Sequence, residues 1–245
     1  MISKKQEKLI RSLRQKKYRK EHQLFLVEGE KLVEEAIQSD FEIAQIFCVS
    51  GMEPSAKTSV AITEISDRSM KAISNLSTPP GILALVRQKE GSLPQRPDLV
   101  LALENVRDPG NLGTIIRSAD AFGVKLIVCS PETTDAYSPK VVQASMGSIF
   151  HIPFVYKDLS QFFQEQLKAH TLYGLHLEGE NLYQCELKKP TCLVMGNESS
   201  GLSKRLEQVV DSNLKIPIAG EAESLNVSMA TTVVLAEFRR RLSWQ

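Results

Sequence analysis

The second half of the sequence alternates short apolar segments with segments of helical periodicity, and this alternation restricts the fold more than any other feature. The strand-like runs are residues 99–103, 126–129, 149–156, 171–175, 191–196 and 214–218. Helical patterns separate them at about 111–122, 139–145, 159–170 and 226–242. Because buried strands joined by helices form layered sheets, residues 98–245 are predicted to be an α/β domain with a mostly parallel sheet.

A smaller α/β unit is predicted before this domain. Its strand-like runs are residues 24–27, 42–49 and 82–86, and its helical patterns are residues 30–39 and 66–74. A polar segment rich in Gly and Pro follows and has the composition of a linker. The predicted division is therefore a domain at 1–90, a linker at 91–97 and a second domain at 98–245.

The first 20 residues are strongly basic, although the whole chain has a formal net charge of only +1. They contain nine Lys or Arg and one acidic residue, a balance of +8, so the remaining residues carry −7. A solvated helix with a thin apolar stripe of Leu9, Ile10 and Leu13 would explain this pattern. A surface that binds a polyanion would explain it equally well. Charge alone leaves both interpretations open.

Several protein classes are disfavoured by what the sequence lacks. No apolar run approaches the ~18 residues needed to cross a bilayer, and the N-terminus has no apolar signal core, so the expected compartment is the cytoplasm. The four cysteines form no C-x-x-C pair, and three lie in apolar runs where a reduced thiol packs as a small hydrophobe. The four histidines show no metal-ligand spacing, so no metal is predicted.

Three polar loops follow predicted strand ends, where open α/β sheets bind their ligands. The first loop, residues 104–113, leads into a helix with Asn111 at its start and Arg117 further along. A helix N-cap would explain Asn111, and an ion pair with Asp120 would explain Arg117. Taken singly, these structural roles are the simpler interpretation of both residues.

The second and third loops each have two interpretations. Each could line a ligand-binding site, and each could be a simple polar turn. The second, residues 195–203, has two glycines that let the main chain approach a ligand, but Leu202 stands where a phosphate-binding loop requires Lys. No stretch fits G-x-G-x-x-G, which argues against a nucleotide-dependent dehydrogenase or hydrolase. The third loop, residues 216–226, precedes a long helix that Ser224 or Asn226 could cap.

Together the three loops resemble the motifs of the SpoU (TrmH-like) family of RNA ribose 2'-O-methyltransferases, in the SPOUT superfamily. The matching stretches are NVRDPGNLGTIIRSADAFG (105–123), LVMGNESSGLS (193–203) and IPIAGEAESLNVSMATTVVLAEF (216–238). The N-terminal stretch RQKKYRKEHQLFLVEGEKLVEEAI (14–37) resembles the small substrate-binding domain of many members. The resemblance therefore covers nearly the whole chain.

The resemblance implies a fold and a cofactor. The fold is a C-terminal α/β-knot domain, with a deep trefoil knot formed by the second and third loops, and a small N-terminal α/β (L30e-like) substrate-binding domain. S-adenosylmethionine would bind within the knot, and a homodimer would place this site near the subunit interface. The residues that correspond to the cofactor site are Val194, Met195, Gly196, Ile216, Ile218, Ser224 and Leu225.

The resemblance also implies catalytic roles for five residues. A ribose 2'-hydroxyl must lose a proton as it attacks the methyl carbon. Arg117 would accept this proton or hold the RNA phosphate, and the second role fits a guanidinium, which stays protonated. Asn111 and Asn226 would orient the hydroxyl. Glu198 would position Arg117 or the substrate, and Ser224 would contact substrate or cofactor.

An enzyme of this family acts on RNA, so the basic N-terminal segment becomes a candidate RNA-binding arm. Ribosomal RNA is favoured over transfer RNA because a separate N-terminal domain is present. The alternative is a catalytically inactive RNA-binding protein of the same fold, although the intact polar motif residues argue against it. The candidate RNA contacts are Lys16, Lys17, Arg19, Lys20 and Arg117.

Overall fold

The computed structural model of the protein describes residues 2–89 and 91–242. The predicted domain limits at residues 1, 90 and 245 lie outside these residues. The described residues form two compact units. The first comprises the residues up to Lys89 together with Asp135–His151, and the second comprises the rest. None of the described helices is both long and apolar enough to span a bilayer.

The helices and strands are numbered in chain order. Those before the predicted linker are α1 (Lys4–Ser12), α2 (Lys16–His22), β1 (Leu24–Glu28), α3 (Glu30–Gln38), β2 (Ile43–Cys48), β3 (Ile62–Glu64), α4 (Asp67–Ile73) and β4 (Ile82–Arg87). Those after it are β5 (Leu99–Leu103), α5 (Pro109–Ala121), β6 (Leu126–Cys129), α6 (Pro139–Ser145), β7 (Phe154–Tyr156), α7 (Leu159–Gln166), β8 (Thr171–Asn181), β9 (Thr191–Met195), α8 (Lys204–Glu207), β10 (Ser212–Lys215) and α9 (Val227–Arg241).

The first unit contains a sheet with the strand order β1-β4-β2-β3. β4 is antiparallel to both β1 and β2, and β3 is parallel to β2. The start of the chain belongs to the core of this unit, because Ile10 and Leu13 are fully buried in the same cluster as Phe47. The basic segment is therefore not a detachable arm, and its removal would uncover apolar side chains.

Arg19 lies inside the first unit, which corrects its assignment as an RNA contact. Its side chain is 3% exposed and pairs with the carboxylate of Asp135 through Nε and Nη2. Its Nη1 donates to the main-chain oxygens of Leu13 and Arg14, at 2.8 and 2.9 Å. The periodicity of α2 turns Arg19 inward while other basic side chains remain outside. Those exposed side chains are Lys16, Lys17 and Lys20.

The segment Asp135–His151 packs with the first unit, although its sequence follows the predicted linker. Tyr137 and Phe150 contact the ring of Phe25, with centroid distances of 4.5 and 6.4 Å. The Tyr137 hydroxyl donates to the main-chain oxygen of Lys89 at 2.9 Å, and burial raises the pKa of this hydroxyl. α6 lies against β1 in the same unit. These contacts join Asp135–His151, a segment of the predicted second domain, to the first unit. The division into 1–90, 91–97 and 98–245 stays a prediction.

The second unit contains six parallel strands in the order β10-β8-β9-β5-β6-β7, which confirms the predicted parallel α/β sheet. From β5 the chain proceeds to β6 and β7 on one side, and then forms β8, β9 and β10 on the other. Such a reversal leaves a crevice at the carboxyl ends of β5 and β9, where open α/β sheets bind ligands. The three motif loops follow β5, β9 and β10, at this edge of the sheet.

Some strand bounds differ from the predicted ones. The apolar run 149–156 begins inside a short 3-10 helix, Ser148–Phe150, and ends with the three-residue β7. β8 continues well beyond the predicted 171–175, and β10 ends before Ile216. These differences arise at sheet edges and strand ends, where few neighbouring residues constrain the local pattern.

Cys48, Cys129 and Cys192 are buried with apolar neighbours in sequence, as their context predicts. All four are buried and form no disulfide. Burial raises the pKa of the Cys129 thiol to about 12, and it also raises the pKa of the Cys192 thiol. Both thiols therefore stay protonated and unreactive inside the second unit.

Candidate functional site

A cavity of about 280 Å³ lies in the second unit where the second and third motif loops meet. The loop after β9 lines it with residues 195–201, and the loop after β10 lines it with Ile216, Ile218, Ser224 and Leu225. The start of α9 and the middle of β8 complete the wall. Among the described residues, no cluster of His, Cys, Asp or Glu could hold a metal ion.

Six of the seven predicted cofactor residues line this cavity. Val194 does not, because its side chain is fully buried in the hydrophobic core on β9. Ser224 is exposed at the wall, and its hydroxyl makes no hydrogen bond with any described residue. The six lining residues are Met195, Gly196, Ile216, Ile218, Ser224 and Leu225.

The middle of β8 forms a part of the wall that the sequence prediction missed. Leu175, His176 and Leu177 line the cavity, although the predicted strand stopped at Leu175. The alternation of apolar and polar residues here is a strand pattern that could have revealed the longer β8. His176 accepts a hydrogen bond at Nδ1 from the main-chain amide of Glu178, at 3.1 Å.

The wall after β9 is a tight loop that depends on two glycines. The main-chain amides of Asn197 and Gly201 donate to each other's carbonyl oxygens at 2.9 and 3.0 Å. Gly201 has a φ of +67°, which favours glycine. A Cβ on Gly196 would lie 2.2 Å from the carbonyl carbon of Gly201. Glycine therefore allows this loop to fold back closely on its strand and to present main-chain groups at the cavity.

A chain of side-chain hydrogen bonds connects all three motif loops. Asn226 Nδ2 donates to Asn111 Oδ1 at 3.0 Å, and Asn111 Nδ2 donates to Glu198 Oε1 at 3.1 Å. The main-chain amide of Asp108 also donates to this Glu198 oxygen, at 3.3 Å. Asn226 Oδ1 accepts from the amide and hydroxyl of Ser228, so Asn226, and not the alternative Ser224, caps α9. Glu198 lines the cavity, and the chain therefore begins at its wall.

The interpretation of Asn111 as an N-cap is wrong. α5 begins at Pro109, and its cap is Asp108, whose Oδ1 accepts from the Asn111 amide at 2.8 Å. Proline suits the first helical position, because an amide there has no intrahelical partner. The side chain of Asn111 is thus left to bind Glu198 and Asn226.

Arg117 is exposed on α5 and makes no hydrogen bond or ion pair with any residue described by the structure. The predicted ion pair with Asp120 is therefore not formed, and neither is a direct contact with Glu198. The neighbouring Ser118 hydroxyl is 2.7 Å from the hydroxyl of Thr232 on α9, so this helix is well anchored. An exposed guanidinium on a fixed helix is suited to binding a phosphate.

The fold is shared by solved methyltransferase structures. An AdoMet-bound rRNA methyltransferase from Sinorhizobium meliloti has a TM-score of 0.88 and 35% identity, covering 100% of this chain and 98% of that chain. The SpoU methyltransferase AviRb from Streptomyces viridochromogenes, in complex with AdoMet, has a TM-score of 0.87 and 26% identity, covering both chains completely. The fold is that of the SPOUT methyltransferases.

Sequence comparisons define the family. A sequence model of the SpoU rRNA Methylase family matches residues 98–236, and one of the MRM3-like substrate binding domain matches residues 4–84. The 23S rRNA (guanosine(2553)-2'-O)-methyltransferase RlmP of Bacillus subtilis is 35% identical over 234 residues, which cover 94% of each chain. This chain belongs to the SpoU rRNA methylase family.

Proposed function

We propose that this protein transfers a methyl group from S-adenosylmethionine to a ribose 2'-hydroxyl of ribosomal RNA. One observation carries the proposal. In a member of the SpoU family, the Asn226–Asn111–Glu198 chain of hydrogen bonds ends at Glu198, which lines the cavity. Ribosomal rather than transfer RNA is proposed because the similar RlmP is named as a 23S rRNA enzyme.

The cavity has the chemistry that S-adenosylmethionine requires. Apolar side chains such as Ile216 and Leu225 offer a surface for the adenine ring, and the tight 196–201 loop offers main-chain groups. When bound, the cofactor supplies a methyl carbon that is already activated by its sulfonium. The proposal includes a deep trefoil knot, which is supported by the meeting of the second and third loops at one cavity.

The hydrogen-bond chain is suited to aligning a ribose. Each Asn side-chain amide has two hydrogens, and Asn111 and Asn226 each use one within the described residues. The second hydrogen of each is left to bind an oxygen of the substrate. Arg117 would hold the adjoining phosphate, and Glu198 would keep Asn111 in orientation. Alignment of this kind is the main demand of a reaction whose methyl donor is preactivated.

A transfer assay with labelled S-adenosylmethionine tests the function. Ribosomal RNA from cells that lack the gene should accept label from the purified protein, whereas RNA from wild-type cells should accept little. Calorimetry should detect binding of S-adenosylmethionine but not of NAD or ATP. Cofactor binding without transfer would favour the inactive RNA-binding alternative.

The exposed lysines of α2 are proposed to bind the RNA backbone. Replacing Lys17 and Lys20 by alanine should weaken RNA binding and reduce the slope of log affinity against log salt by about one per lysine. These substitutions leave the buried Ile10 and Arg19 untouched, so the first unit should remain folded. Filter binding at several salt concentrations measures the effect. Lys57→Ala, an exposed lysine outside α1 and α2, is the control, and equal slopes for all proteins would contradict the assignment.

A homodimer is proposed with the cavity near its interface. Leu177 on β8 and Met229 on α9 are each 62% exposed, although both are large and apolar. Burial of such side chains against a second copy would be favourable. Replacing Met229 by aspartate should therefore shift the protein from dimer to monomer in sedimentation experiments. A monomeric wild-type protein, or an unchanged dimer for this variant, would contradict the proposed interface.

A further inference from the structure

Asn197 joins the second motif loop to the first through its side chain. Its Nδ2 donates to the main-chain oxygen of Asn105 at 2.8 Å and to Glu198 Oε2 at 3.1 Å. Its Oδ1 accepts from the main-chain amides of Ser199 and Ser200, at 3.0 and 3.2 Å. Both amide hydrogens and the carbonyl oxygen of Asn197 are thus in use, in a residue that also lines the cavity.

These contacts fix which way the amide of Asn197 faces. A flipped amide would direct its oxygen at Asn105 O and Glu198 Oε2, which are both acceptors, and its hydrogens at two amide donors. The two oxygens of Glu198 then receive separate donors: Oε2 from Asn197, and Oε1 from Asn111. The carboxylate is therefore held on one side by the cavity loop and on the other by α5.

We propose that Asn197 is a positioning residue of the methyl-transfer site, because it orients the Glu198 carboxylate towards Asn111 while it fixes the cavity wall. The inference rests on the proposed function. It adds to the site a residue that neither the charge pattern nor the helix-capping pattern of the sequence had indicated. Asn197 acts through Glu198 and Asn111, and it touches no reacting atom in this role.

Substitutions can separate the role of the Asn197 amide nitrogen, which donates, from that of its oxygen, which accepts. Asn197→Asp keeps an acceptor for the amides of Ser199 and Ser200, so the wall should remain folded. It removes the donor to Glu198 Oε2 and to the main-chain oxygen of Asn105, and it places a second carboxylate beside Glu198. Asn197→Ala removes donor and acceptor together without adding charge. The aspartate variant should lose rate but keep cofactor affinity, whereas the alanine variant should lose both.

The experiment is a double-mutant cycle on the full-length protein with Glu198→Gln. Single-turnover transfer to unmethylated ribosomal RNA is measured at saturating S-adenosylmethionine, and its Kd is measured by calorimetry. Asn197→Asp should slow transfer by about tenfold or more with a Kd within about threefold of wild type. In the Glu198→Gln background, neither Asn197 substitution should slow transfer by more than about threefold, because residues that act through one contact are not additive. The control is Asn181→Asp, since Asn181 Oδ1 accepts from an amide in the same manner and its Nδ2 has no partner among the described residues.

Each other outcome would overturn the inference. Wild-type transfer by Asn197→Asp, or losses that multiply with that of Glu198→Gln, would show that Asn197 does not act through Glu198. Equal losses of transfer rate and of cofactor affinity in Asn197→Asp would show that Asn197 only maintains the shape of the cavity wall. Absence of transfer by the wild-type protein would instead overturn the proposed function, and this inference with it.

Discussion

Arg117→Ala is expected to lower single-turnover methyl transfer by about 100-fold or more, while the Kd of S-adenosylmethionine stays within about threefold. Removal of one hydrogen-bond donor that stabilises charge at a reacting centre typically costs a factor of about 10²–10³ in rate. Arg117 is exposed and has no internal partner among the described residues, so its removal leaves the packing of α5 intact. Its contribution is therefore expected to appear in the reaction and not in stability.

Two matched variants sharpen this prediction. Arg117→Lys keeps the charge but loses the planar fork that holds a phosphate through two hydrogen bonds, so transfer should fall by an intermediate factor. Lys125→Ala removes an exposed cation of the second unit next to the amino end of β6, and it should transfer at the wild-type rate. A wild-type rate for Arg117→Ala would remove Arg117 from the site.

Asp135→Ala is expected to lower the free energy of unfolding by about 3 kcal/mol or more, because it leaves a buried guanidinium without its anion. Arg19 is 3% exposed, and the two main-chain oxygens that remain bound to it carry no full charge. Urea denaturation followed by circular dichroism measures the change. Methyl transfer is not needed for this test, so it is independent of the proposed function.

The control for this prediction is an ion pair of the same unit that is open to solvent. Arg87 and Glu42 form a contact of 2.7 Å with side chains 50% and 68% exposed, so Glu42→Ala should lower the free energy of unfolding by less than about 1 kcal/mol. Arg19→Met combined with Asp135→Ala should recover part of the stability lost in the single variant, since no charge is then buried. Equal losses for Asp135→Ala and Glu42→Ala would contradict the structural role of Arg19.

The features that the sequence predicted are those with a local signal. Apolar runs and helical periodicity predicted the parallel sheet of the second unit, and loops after strands predicted the edge at which the cavity lies. Helix α6 matches its predicted bounds, because Pro139 begins it and a short apolar pattern defines its length. Asn226 was one of two predicted caps, since capping depends on residues next to the helix start.

The features that the sequence did not predict depend on contacts between distant residues. Arg19 belongs to a strongly basic segment, and only its partner Asp135, 116 positions away, shows that it is structural. The contact of Asn226 with Asn111 spans 115 positions, and that of Asn111 with Glu198 spans 87. Side-chain partners at such separations follow from the strand order, which periodicity does not specify.

The most direct test of the central claim is a map of ribose 2'-O-methyl groups, at single-nucleotide resolution, in ribosomal RNA. RNA from cells that lack the gene is compared before and after incubation with the purified protein and S-adenosylmethionine. The account predicts that a ribose missing its methyl group in these cells regains it with the wild-type protein and not with Arg117→Ala. Ribosomal RNA in which no ribose depends on the gene, and none is methylated by the protein, would contradict it.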